Sequence, residues 1–164
     1  MDVHDTELER IIHSNTILII DTCSLLEYAF EPFSKRVEPL LQSTGKKLIL
    51  PVVVVHEIEK NAKKNQRLEI NSKRALAILV DLKKKSLLDV VGDECEPKFG
   101  DVVFLSNVLK QFLITDVAVI TQDNNLTHDL LSFNSLLSVQ SRHHISVYRL
   151  SGADGYLIPR KNEC

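Results

Sequence analysis

With 164 residues, 44% of them hydrophobic and 26% charged, the chain has the make-up of one globular domain with a sizeable core. A net charge of -2 excludes a generally basic, nucleic-acid-coating protein, and three scattered cysteines (Cys23, Cys95, Cys164) exclude a disulfide frame or a CxxC zinc knuckle. No apolar run approaches the roughly 18 residues that span a membrane, and the acidic start MDVHDTELERIIHSN lacks a signal core, so no membrane partner and a reduced, cytoplasmic setting are expected.

Residues 1–15 read as an N-terminal extension or short helix. Thr16–Ile20 is a short apolar strand, followed at once by Asp21. Phe33, Val37, Leu40 and Leu41 recur at i, i+4, i+7 and i+8, one face of a helix. In LILPVVVV composition favours strand throughout, but Pro51 is a poor interior strand residue and a good first helical one. The reading is a strand Lys47–Leu50 and a helix from Pro51. A second helical face (Ala75, Leu76, Leu79, Leu82) leads to a strand Leu87–Val91, and a third (Phe104, Leu105, Val108, Leu109, Phe112) to a strand Val117–Thr121. Leu126, Leu130, Leu131 and Leu137 mark the last helix before a strand His144–Arg149, and 151–164 reads as a C-terminal tail. Strands alternating with amphipathic helices over 16–150 predict a single α/β domain with a parallel sheet of about five strands.

A carboxylate at the end of a buried strand is costly unless it is paired, hydrogen-bonded or bound to a cation. Open parallel sheets bind ligands outside the carboxyl ends of their strands, where both Asp21 and Asp123 stand. Glu57, in the helix after the second strand, and Asp101, opening the helix before the fourth, complete a set of four acids able to converge. Clustered carboxylates repel, and a hard divalent cation with oxygen preference removes that conflict. Each acid also has a plain structural reading: Asp101 as a helix N-cap, Asp123 as a turn residue, Glu57 as a solvated helix residue, Asp21 as a strand-end turn acid.

The motifs IIDTCSLL, PVVVVHEIEK, GDVVFLSNVLKQ and VITQDNNL, in that order, resemble the PIN-domain ribonucleases over roughly Thr16 to Tyr148. The segment after Glu57 is similar to the branch related to PhoH-associated PIN domains. The resemblance implies a doubly wound sheet with helices on both faces, and metal-dependent endonucleolytic hydrolysis of RNA leaving 5′-phosphate and 3′-hydroxyl ends. It makes Asp21, Glu57, Asp101 and Asp123 the catalytic ligands of Mg²⁺ or Mn²⁺, and Ser24 the small hydroxyl residue that follows the first acid. It leaves room for a homodimer and for an inhibitory protein partner.

The segment Glu57–Lys85 carries nine basic and four acidic residues, a formal +5 that leaves -7 for the rest of the chain. A local positive field beside an acidic pocket suits RNA, and Lys60, Lys63, Lys64, Arg67, Lys73 and Arg74 are the expected substrate contacts. With aromatics at 5% and no tryptophan, backbone-led binding is expected over base stacking. Rival motifs fail: HEIEK has lysine where HExxH needs histidine, DTCSL is not DxSxS, and no GxGxxG or P-loop follows the first strand. Two alternatives stay open, a catalytically weak module that binds RNA or protein as a scaffold, and the toxin RNase of a toxin–antitoxin pair.

Overall fold

A computed structural model describes residues 3–64, 66–92, 100–137 and 142–161; Cys95 and Cys164 lie outside them. In chain order the elements are α1 (Val3–His13), β1 (Ile17–Ile20), α2 (Thr22–Leu25), α3 (Phe30–Thr44), β2 (Leu48–Pro51), α4 (Val52–Asn61) and α5 (Gln66–Lys84). Then follow β3 (Leu88–Val91), α6 (Gly100–Phe112), β4 (Val117–Ile120), α7 (Asn124–Leu137), β5 (Ile145–Leu150) and β6 (Leu157–Pro159).

The sheet order is β3-β2-β1-β4-β5-β6, with the first five strands parallel. Chain progress runs one way from β1 to β3 and the other way from β4 onward, so the topological switch point falls between β1 and β4. These two strands sit at the centre, which is why ILII and VAVI are almost continuously apolar: strands covered on both faces have no solvent side to alternate toward. Their register pairs Ile17 with Val117 and Ile20 with Ile120, and the ladder continues one residue further through Asp21 N–H to the Ile120 carbonyl at 3.1 Å. Residues 21 and 121 therefore leave the sheet side by side.

Two features depart from the sequence reading. Pro51 is the last residue of β2 and, with ψ 138°, the N-cap of α4, so the helix begins one residue later than its proline suggests. The sheet has six strands, the sixth in the segment read as a tail. β6 is three residues long, antiparallel to β5, and ends on a proline that an edge strand tolerates. Its approach depends on Gly155 (φ 68°), where a Cβ would stand 2.6 Å from the Ala29 carbonyl oxygen and against the backbone of Phe33. The N-terminal segment forms α1, which buries Leu8, Ile11 and Ile12 in the core. Tyr148 Oη on β5 donates to Glu7 at 2.6 Å, tying α1 to the sheet. Among the described residues no helix is long and apolar enough to cross a membrane.

Candidate functional site

Asp21 ends β1 and caps the short α2, its Oδ1 accepting from the Ser24 N–H at 3.0 Å. Its Oδ2 accepts from the Cys23 thiol at 3.0 Å and from the Thr121 hydroxyl. The residue is 6% exposed, and all these donors are neutral. Burial raises its pKa; the hydrogen bonds from Cys23, Thr121 and Ser24 oppose that without cancelling it. The Cys23 thiol is pushed up to about 12 by burial and by the adjacent Asp21 charge. It is held as a hydrogen-bond donor rather than as a nucleophile.

Thr121 links the two strand-end acids. Its hydroxyl donates to Asp21 and accepts the Asp123 N–H at 3.0 Å. Asp123 in turn places Oδ1 on the N–H groups of Asn125 (2.7 Å) and Leu126 (3.1 Å), capping α7. Glu57, in the second turn of α4, accepts from the Thr22 hydroxyl through Oε2. Asp101 stands in the first turn of α6, where the helix end favours negative charge.

All four predicted acids line one pocket of about 120 Å³, whose apolar walls include Val53, Phe104 and Leu126. That is room for several waters. The oxygen-only donor set suits a hard cation such as Mg²⁺ or Mn²⁺. Among the described residues, however, no three acidic, histidine or cysteine side chains are gathered tightly enough to share an ion. An ion such as Mg²⁺ commonly keeps several waters and takes only one or two carboxylates directly.

The predicted substrate contacts fare differently. Ser24 is fully buried and does not line the pocket, so as folded it cannot touch a substrate. Its Oγ lies near enough to Asp21 to favour the charge but meets no hydrogen-bond geometry. The hydroxyl at the pocket is Thr22, two positions earlier. Lys60, Lys63, Lys64 and Arg67 are exposed on the end of α4, the following turn and the start of α5. Lys73 is bonded to Glu69 at 2.5 Å, and the Arg74 guanidinium stacks on the Tyr28 ring at 4.4 Å. None of the six lines the acidic pocket.

Sequence reasoning missed Thr22 and Thr121, although both are hydroxyl residues next to or near a strand end that carries an acid. It also missed Arg160, whose guanidinium reaches the carbonyls of Thr121 (3.3 Å) and Asp123 (3.4 Å) and the side-chain oxygen of Asn124. Compared with family models and with characterised proteins, the chain matches none.

Proposed function

We propose that this chain is a PIN-type endoribonuclease that hydrolyses RNA phosphodiester bonds with a divalent metal. The observation that carries the reading is Asp21: a buried carboxylate with no cationic partner among the described residues, opening at the switch point onto a pocket lined by three more carboxylates. A fold that only needed a cap for α2 has no reason to bury a charge there, since serine or asparagine caps a helix as well.

When bound, Mg²⁺ or Mn²⁺ supplies the Lewis acidity that activates water and offsets charge developing on the phosphate. Asp21 is the central ligand in this reading, and Glu57, Asp101 and Asp123 bind the ion or its water shell. Thr121 fixes the spacing of Asp21 and Asp123 by bonding to both. Thr22 holds Glu57 in place. Asp123 spends Oδ1 on the helix cap, which leaves Oδ2 as the atom available to orient water or take its proton. A cytoplasmic location accords with the free thiol of Cys23.

The test is cleavage of a single-stranded RNA with Mn²⁺, Mg²⁺ or chelator, comparing wild type with Asp21→Asn. Metal-dependent cutting that falls by at least about 100-fold in the variant is expected. Cutting that survives the substitution sinks the pocket assignment. Retained RNA binding with no cleavage by the wild type would select a second reading, a scaffold that binds RNA without cutting it.

A further inference from the structure

Behind α7, on the side away from the acidic pocket, lies a larger cavity of about 580 Å³. Arg149 on β5 and Arg160 and Lys161 after β6 bring three cations to it, and His128, Asn124 and Thr127 on α7 line the opposite wall. Among the described residues no acidic one lines it. Among the described residues neither Arg149 nor Lys161 has a carboxylate partner. Arg160 is anchored by the two carbonyls and Asn124 described above, so its charge is fixed at the boundary between the cavities.

We infer that this cavity binds backbone phosphates of the single-stranded RNA whose scissile bond lies at the acidic pocket. The inference rests on the nuclease reading for the position of that bond. The acidic pocket is lined by four carboxylates that repel phosphate, so attraction for the strand must come from a neighbouring surface. The first turn of α7 is the partition: Asp123 and Leu126 face one cavity, Asn124 and Thr127 the other. A helix is about 10–12 Å across with its side chains, a gap that a few nucleotides of extended strand cross. Among the described residues no phenylalanine, tyrosine or tryptophan lines the cavity, and His128 is its single aromatic ring. With three cations against that one ring, contact is mainly through phosphate, with little sequence preference.

The competing surface is the lysine-rich turn after α4, which allows a matched comparison. Binding of a fluorescein-labelled oligouridine is measured in chelator, across a salt series, for the full chain. Arg149→Glu with Lys161→Glu is expected to weaken binding by at least about tenfold, and to lower the salt slope by about 1.4 for two lost phosphate contacts. Lys63→Glu with Lys64→Glu makes the same charge change and is expected to cost severalfold less. An equal or larger loss at Lys63 and Lys64, or no RNA binding by the wild type, overturns the inference. Arg149→Gln with Lys161→Gln, checked by thermal melting, repeats the comparison with neutral side chains should charge reversal disturb the β5–β6 edge. Uridine monophosphate should displace the oligomer only at millimolar concentration; displacement at micromolar concentration would make the cavity a mononucleotide pocket and overturn the assignment. Cleavage is scored separately. Binding that depends on Arg149 and Lys161 without any cutting defeats the nuclease reading alone, and cutting that ignores them defeats the cavity alone.

Discussion

The two cavities beside the first turn of α7 are built on opposite principles. The acidic one is small, and its central charge is buried and immobilised by three neutral donors. The basic one is nearly five times larger, and two of its three cations are exposed side chains without an ionic partner among the described residues. Burial and hydrogen bonding set position at the cost of solvation, which suits groups that must hold reacting atoms. Exposed lysine and arginine give attraction at little desolvation cost, which suits a flexible polyanion. Position is thus concentrated on one side of the helix turn and attraction on the other.

The largest expected effect that separates the two sides comes from Gly155→Ala. The new Cβ collides with the backbone of α3 at a position with positive φ. A cost of about 2–4 kcal/mol is expected, or a fall in melting temperature on the order of 5–15 °C for a chain of this size. Because β6 leads directly into Arg160 and Lys161, RNA affinity should fall more than the rate of cutting bound RNA; the reverse order would break the comparison. Next comes Thr121→Val, which removes a donor from Asp21 and an acceptor from the Asp123 N–H. It should destabilise by about 1–3 kcal/mol and lower the cleavage rate while leaving oligouridine affinity within about twofold.

The smallest effect is the most diagnostic. Asp21 has a folded-state pKa raised by burial, so the native state holds its proton more tightly than the unfolded chain. Stability from this residue is full below the unfolded value near 4 and is lost as pH rises through the folded value. In chelator, Asp21→Asn should therefore melt a few degrees higher than wild type at pH 7–8, with the advantage shrinking as pH falls toward 4. An advantage that stays constant across that range, or a variant less stable at pH 7, would show that the carboxylate is not strained in its site.

Much of this arrangement is legible in the sequence, for identifiable reasons. Asp21 and Asp123 follow strongly apolar runs, and a parallel sheet brings the carboxyl ends of such strands to one edge whatever the details. Glu57 and Asp101 follow from their helices. What is not legible depends on register and on short elements. The partnership of Asp21 with Thr121 needs the pairing of Ile20 with Ile120, which no local pattern encodes. β6 is too brief, and ends too soon in Pro159, to show alternation. With β6 unseen, Arg149, Arg160 and Lys161 look like scattered charges. The lysine-rich stretch draws notice by its count, yet the fold commits Lys73 to a glutamate and Arg74 to an aromatic ring. Ser24 matches a motif position, but its backbone N–H is held by the Asp21 cap and its side chain is buried.

The bond between Thr121 and Asp21 spans a hundred residues of chain. During synthesis Asp21 leaves the ribosome long before its partner exists. Closing so long a loop carries an entropic cost that is repaid only when β4 pairs with β1 at the centre of the sheet. Until then there is no pocket, only separate acids in an unfinished chain. The pocket is in this way a property of the joined central strands, and neither acid-bearing segment can form it alone.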